Sequence, residues 1–320
     1  MLKLMGGLLG WCQKTGLNRF ARLLGLLKVL PKHLQEMERV LPEASSKGVL
    51  ERIGSFVYPA EGDPIGRVGM FSGCIMDVLF AETNVNTVKL LAKAGFEVVI
   101  PPAQNCCGAL HAHSGEMDLA RELARSNIRA FKEANVDVIV SNAGGCGALL
   151  VEYDHLLKDD PEFQADAAWF AGRVKDVSQL LLEKGRTLQF RLAAEDGKEP
   201  EKLTYQDSCH LRNVMKASDA PRTLMQRVKG AEFIEMCGAD SCCGSAGIYN
   251  VTQPEMAGKI LESKMKHADE TGAHYLITSN PGCLLQMKLG IEKHQPQVPM
   301  KAVHIVDYLH ERMEDNDKQQ

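Results

Sequence analysis

The run Phe96-Glu97-Val98-Val99-Ile100, followed after a five-residue loop by Cys106-Cys107-Gly108, carries the pattern from which the fold is read. Apart from Glu97 these five residues are apolar, and three are β-branched, as in a strand buried in a parallel sheet. The second half of the chain repeats the arrangement, with Glu232-Phe233-Ile234-Glu235-Met236 leading to Cys242-Cys243-Gly244. The spacing of the flanking cysteines repeats too. Cys74 precedes the first pair by 31 intervening residues, and Cys146 follows it by 38. Cys209 precedes the second pair by 32, and Cys283 follows it by 39. Eight of the ten cysteines belong to this repeat, and only Cys12 and Cys237 stand outside.

Each flanking cysteine also follows a short apolar run: Arg67–Phe71 before Cys74, Val136–Val140 before Cys146, Leu203–Asp207 before Cys209 and Tyr275–Thr278 before Cys283. Helical periodicity fills the intervals. Thr83–Ala94 places Val85, Val88 and Leu91 on one face and stops at Gly95. Glu116–Ala134 reads as a longer helix with Ser114 as its cap. In the second half Thr252-Gln253-Pro254-Glu255 reads as a capping box opening a helix that runs to Thr271. Asp176–Lys184 and Val303–Arg312 read as matching closing helices.

The expected fold is therefore α/β: two pseudo-repeated, Rossmann-like units with small parallel sheets, preceded by a helical N-terminal segment. The boundaries are 1–62 for the helical segment, 63–192 for the first unit, 193–202 for a polar linker (AAEDGKEPEK) and 203–320 for the second unit. On this topology every cysteine group follows the carboxyl end of a strand, the edge at which open parallel sheets bind ligands. Cys74, Cys106, Cys107 and Cys146 are expected at one such rim, and Cys209, Cys242, Cys243 and Cys283 at another. Helix N-terminal amides there favour thiolates.

The 320 residues suggest about two domains at ~150 residues each, enough chain to bury a core without disulfides. A net charge of −4 and a pI near 6.2 argue against a nucleic-acid binder. The longest uncharged N-terminal run, Leu4–Gln13, is too short to span a bilayer, and no small-residue cleavage site follows it. Residues 1–42 read as helical with a basic polar face (Lys14, Arg19, Arg22, Lys28). That face suits packing on the protein or a partner, or peripheral membrane contact. The expected location is the cytoplasm, or the inner face of the cytoplasmic membrane. In that reducing setting four clustered thiols suit an iron–sulfur cluster, a four-thiolate zinc site, or buried free thiols; stable disulfides are disfavoured. Neither Gly-x-Gly-x-x-Gly nor a phosphate-binding lysine loop occurs, so no flavin or nucleotide is expected on this chain.

The cysteine motifs resemble those of the cysteine-rich "CCG" domain family. Such domains occur in pairs in the B subunit of heterodisulfide reductase, in lactate-utilisation proteins and in the iron–sulfur subunit of glycolate oxidase. The likeness is strongest for the last. Cys242-Cys243-Gly244-Ser245-Ala246-Gly247-Ile248-Tyr249 with Asn280-x-Gly282-Cys283 is similar to its second repeat, and Ala143-Gly144-Gly145-Cys146-Gly147-Ala148 with Glu152-Tyr153 to its first. The resemblance implies an electron-transfer subunit of a flavin-dependent glycolate or lactate dehydrogenase. Such a subunit would pass electrons from a partner flavoprotein toward quinone or another carrier, through up to two clusters held by the eight repeated cysteines. Two departures matter. The two C-x-x-C-x-x-C-x-x-x-C-P runs of the subunit's ferredoxin-like domain are absent, which leaves a fragment, a split gene product, or a form whose wiring clusters sit on another, ferredoxin-like partner chain. The C-x-x-C ending of heterodisulfide reductase relatives is also absent, with Leu149 and Gln286 at the extra positions. Four thiols per site then imply an ordinary [4Fe-4S] cluster, with thiol–disulfide catalysis and a structural zinc module as the alternatives. His111, His113 and His210 could donate to cluster sulfur or serve only the loops. Ser245 and Tyr249 could bond near the second site, and Cys237 is either an extra ligand or a core residue.

Overall fold

The computed structural model describes residues 2–193 and 199–314. Part of the expected linker, residues 194–198, and the last residues of the second unit, 315–320, lie outside the described residues.

The first sheet contains β1 (Val57–Tyr58), β2 (Gly66–Phe71), β3 (Phe96–Val99), β4 (Val138–Ser141) and β5 (Val174–Asp176) in the order β1-β3-β2-β4-β5. The second contains β6 (Glu201–Tyr205), β7 (Ala231–Phe233), β8 (Tyr275–Thr278) and β9 (Lys301–His304) in the order β7-β6-β8-β9. All pairings are parallel except the short antiparallel edge β1–β3. The repeat is visible in the register: Val68 lies between Val98 and Val138, and Leu203 between Phe233 and Tyr275. In each unit the chain starts at a central strand, crosses by a helix to one side, then returns to build the other side. The three cysteine-bearing loops therefore leave adjacent strands at one edge.

Each unit has one strand more than expected on the far side, β5 and β9. These strands take up the first residues of the expected closing helices, which begin at Val177 and Ile305. Asp176 and His304 then cap those helices, accepting from the N–H groups of Ser178 and Val306. Two expected caps do not form. Ser114 ends the helix Ala109–His113, while the next helix, Met117–Glu133, has Glu116 at its N-cap and no side-chain cap. Thr252 closes the short helix Tyr249–Thr252 and its hydroxyl donates back to the Ile248 carbonyl at 3.3 Å, so it cannot cap the helix Pro254–Glu270. Pro254 does occupy that helix's first turn.

One apolar cluster joins the two units. It combines Val68, Val98, Leu91 and Val177 of the first with Leu203, Tyr205, Leu224, Ile305 and Tyr308 of the second. Phe131, Tyr153 and Phe170 cover the other face of the first sheet, and Met265, Met287 and Leu276 pack on that of the second. Burying this much apolar surface is the main stabilising contribution.

The N-terminal segment is helical as expected but broken: Leu2–Lys14, Leu17–Leu23, the 3-10 turn Leu26–Val29 and Lys32–Val40. Its packing inverts the usual amphipathic arrangement. Gly6 and Gly10 face inward, close against Val78 and Ala44, while Leu4, Leu8, Trp11, Leu23 and Val29 are exposed.

Candidate metal centres

The first cysteine set forms at the carboxyl ends of β2, β3 and β4. Cys74 directly precedes the helix Ile75–Leu79, and Cys106 and Cys107 lie in the loop entering the helix Ala109–His113. Cys146 sits in the first turn of the helix Gly144–Leu150. The sulfurs of Cys74 and Cys106 are 3.4 Å apart. The Cys107 thiol lies close enough to those of Cys106 and Cys146 to act on both, so the four side chains gather at one rim. The N–H groups of Gly108 and Ala109 donate at 3.5 Å to the sulfurs of Cys106 and Cys107. Gly108 holds φ +88°, in the left-handed region, which turns these amides onto the sulfurs.

Two buried side chains fix the loop. The Asn127 Oδ1 accepts from the Asn105 N–H at 2.7 Å, and its Nδ2 donates to the Cys106 carbonyl at 2.9 Å and the Tyr153 hydroxyl at 3.0 Å. That hydroxyl donates to the Cys107 carbonyl at 2.8 Å. Both residues are fully buried.

The second set repeats this geometry. Cys209 opens the helix Cys209–Asn213 after β6, Cys242 and Cys243 follow β7, and Cys283 lies in the first turn of the helix Pro281–His294 after β8. The Cys242 thiol lies close enough to Cys209 and Cys243, and that of Cys243 to Cys283, for each to act on the next. The Gly244 N–H donates to the Cys242 sulfur at 3.4 Å, and the Asn280 Nδ2 to the Cys283 sulfur at 3.5 Å. Gly244, at φ +89°, repeats Gly108; a Cβ there would stand 2.8 Å from the Ala257 carbonyl oxygen.

The electrostatics are those of an uncompensated thiol cluster. The hydrogen bond from Cys107, then that from Cys74, the Gly108 amide and the nearby His111 hold the Cys106 thiol far below its ordinary range. Cys74 and Cys107 are pushed up, first because their protons serve Cys106, then by burial. In the second set Cys242 is held down by Cys209, Cys243 and the Gly244 amide, and Cys283 by Cys243 and Asn280. Cys209 and Cys243 are pushed up in exchange. Four sulfurs in such contact cannot all be thiolates unless positive charge lies among them. A bound cationic metal group supplies it, and soft, convergent donors with aimed amides fit a thiophilic one. Among the described residues no group of three or more His, Cys, Asp or Glu side chains is arranged to hold a single metal ion.

The two centres face one another. Asn280, which donates to Cys283, also accepts the Gly145 N–H beside Cys146 at 2.9 Å, and the Gly144 N–H donates to the Ser279 carbonyl at 3.0 Å. The His113 and His210 rings stack across the junction at 5.6 Å, and His210 Nδ1 lies 3.7 Å from the Cys209 sulfur. His111 is close enough to act on Cys106, although its Nδ1 is buried without a hydrogen-bond partner. Ser245 is buried beside Gly282, whereas Tyr249 begins its own short helix. Cys237 is exposed, and Cys12 lies in the N-terminal helix away from both sets. Gln286 is buried and holds Asn250 at 3.0 Å, and Leu149 packs in the core of the first unit. Asn127 and Lys264 were not legible as site residues. Each lies mid-helix, and the only sequence signal is a polar residue on an otherwise apolar face.

The fold and the paired sulfur sites define a tandem cysteine-rich protein, and sequence comparison agrees. The family described as "Cysteine-rich domain" (CCG) matches residues 68–151 and 203–288, and "Glycolate oxidase iron-sulfur subunit, linker region" matches residues 1–41. The chain belongs to the CCG cysteine-rich domain family. A "Probable glycolate oxidase iron-sulfur subunit" of Bacillus subtilis (strain 168) is 52% identical over 302 residues, covering 94% of this chain and 67% of that protein. A "Lactate utilization protein A" of Oceanobacillus iheyensis is 33% identical over 254 residues, covering 78% and 98%. A crystal structure of a hypothetical protein from Helicobacter pylori superposes with a TM-score of 0.54 at 12% identity, over 91% of this chain and 56% of that one, which marks a shared fold.

Proposed function

We propose that this chain is the iron–sulfur electron-transfer subunit of a flavin-dependent 2-hydroxy-acid dehydrogenase, of the glycolate or lactate type. It would take electrons from a partner flavoprotein and pass them toward quinone or another carrier. The observation that carries the reading is the convergence of two cysteine quartets, each at the rim of a parallel sheet with backbone amides turned onto the sulfurs. The kinship to glycolate oxidase iron-sulfur subunits and lactate utilization proteins supports it.

Cys74, Cys106, Cys107 and Cys146 would hold one cluster, and Cys209, Cys242, Cys243 and Cys283 the other. A bound [4Fe-4S] cluster supplies reversible one-electron transfer. The chain's part is ligation, burial and hydrogen bonding to sulfur, which together set potential. Gly108, Ala109, Gly244 and Asn280 donate to sulfur, while Asn127 and Tyr153 hold the first cysteine pair in place.

Among the described residues no helix is long and apolar enough to cross a membrane. The exposed apolar side chains Leu4, Leu8, Trp11, Leu23 and Val29 would suit a partner chain or the inner membrane surface; flotation with anionic liposomes separates the two.

Anaerobic purification followed by iron and sulfide analysis tests the reading. Brown protein with about eight irons, absorbing broadly near ~400 nm, is expected for two cubane clusters. Colourless protein with stoichiometric zinc would overturn it. A co-purifying flavoprotein would identify the partner.

A further inference from the structure

The two centres share a scaffold but differ in charge at one buried position. The helices Met117–Glu133 and Pro254–Glu270 each have 17 residues and occupy the same place in their units. The eleventh residue is Asn127 in one and Lys264 in the other. Both reach the segment just ahead of a cysteine pair. Asn127 accepts from the Asn105 N–H and donates to the Cys106 carbonyl, as a neutral amide. The Lys264 Nζ donates to the Ser241 carbonyl at 3.1 Å, to the Ser241 hydroxyl at 2.8 Å and to the Gly238 carbonyl.

Those three acceptors match the three N–H bonds of an ammonium, one more than a neutral amine can offer. The residue is only 2% exposed. Its hydrogen bonds go to neutral oxygens, and the acids around it are engaged elsewhere. Asp207 pairs with Arg212 and Arg222, Glu235 with Arg222, and Asp240 lies 3.9 Å from Arg212. The Lys264 charge is thus left to act on the sulfurs, and it helps to hold Cys242 and Cys283 down. Burial is the larger effect and holds the Lys264 ammonium below its ordinary range, against the opposing pull of Cys243, Asp240, Asp207 and Cys242.

We infer that Lys264 makes the second centre the electron sink of the pair, by placing a fixed positive charge beside Cys242 and Cys243 where the first centre has the neutral Asn127. The inference rests on the reading that both quartets hold clusters. Reduction adds one negative charge to a centre, and a buried cation stabilises the reduced state more than the oxidised one. An electron delivered by a reduced flavin, or by dithionite in the test, reduces either centre. It then settles on the second as the first is reoxidised, with no bond made or broken. Lys264 is a positioning residue for charge and need not touch the reacting atoms.

The test is a reductive titration of the anaerobically reconstituted full chain, followed by electron paramagnetic resonance. C106S and C242S assign the signals to the two centres. In the wild-type protein the higher midpoint should belong to the second centre; a higher midpoint at the first refutes the inference without any lysine variant. In Lys264→Asn and Lys264→Met the ratio of reduced second to reduced first centre, at a fixed poise, should fall at least tenfold, which is about 59 mV for a one-electron couple. The first midpoint should stay in place, and Lys264→Arg should keep the wild-type order. Variants that hold wild-type iron with both midpoints unmoved overturn the role of Lys264. Wild-type chain that takes up no iron overturns the underlying functional reading instead.

Discussion

Replacing Asn127 by leucine keeps the branched shape of a fully buried side chain, with bulkier methyl groups, and removes three hydrogen bonds: those with the Asn105 N–H, the Cys106 carbonyl and the Tyr153 hydroxyl. At about 1 kcal/mol net for each, the metal-free chain should lose about 3 kcal/mol of unfolding free energy. The loss should exceed that of Tyr153→Phe, which removes the hydroxyl's bonds to Asn127 and the Cys107 carbonyl but leaves Asn127 holding Asn105 and Cys106. Because the lost bonds fix the loop carrying Cys106 and Cys107, iron should be lost selectively from the first centre. Urea unfolding followed by circular dichroism gives the stability, and iron analysis with spin quantitation gives the loading. An unfolding free energy within about 0.5 kcal/mol of wild type would refute the assignment of Asn127 as the loop's anchor, as would equal loss of iron from both centres.

Three further outcomes are expected. Cys106→Ser or Cys107→Ser should remove or convert the first cluster and leave the second, so unchanged iron and spectra would show that the ligands are misassigned. Burial pushes the Asp176 carboxyl up to about 6 from the ordinary 3.8, and its Oδ2 has no hydrogen-bond partner. The native chain therefore takes up a proton between about pH 4 and 6 that the unfolded chain has already released. The stability this proton contributes is full below pH 4 and lost as pH rises through 6. Asp176→Asn, whose amide oxygen can still accept from the Ser178 N–H, should flatten this slope and raise stability at pH 7 by about 1–3 kcal/mol. A urea midpoint series from pH 4 to 8 decides it, and a slope retained in the variant refutes the account. The Arg312 Nη2 donates to both carboxylate oxygens of Glu201, at 2.6 and 2.8 Å, with the guanidinium over the Tyr308 ring. Arg312→Met should cost about 3 kcal/mol by stranding the carboxylate, a loss read from thermal or urea unfolding; a change below 1 kcal/mol would contradict that role.

Much of the framework was legible because the chemistry repeats. Paired cysteines at matched intervals, each behind a β-branched run, fix three strands per unit and the edge their loops share. What escaped lacks that redundancy. β5 and β9 are three and four residues long, and their apolar residues merge into the following helices, so they read as helix starts. β1 has two residues and no pattern to detect. Ser114 and Thr252 carry the right side chains for capping, but preceding helical turns had already claimed their backbones. The N-terminal segment misleads because its buried face is glycine, which hydrophobic patterning cannot register. Asn127 and Lys264 act through backbone atoms distant in sequence, so only the folded chain shows what they hold.

Asn280 has two engagements at once, a cysteine of one quartet and the amide beside a cysteine of the other. Neither loop can shift without straining a bond that belongs to its neighbour. The two rims are therefore held in fixed register with one another, whichever of them carries metal.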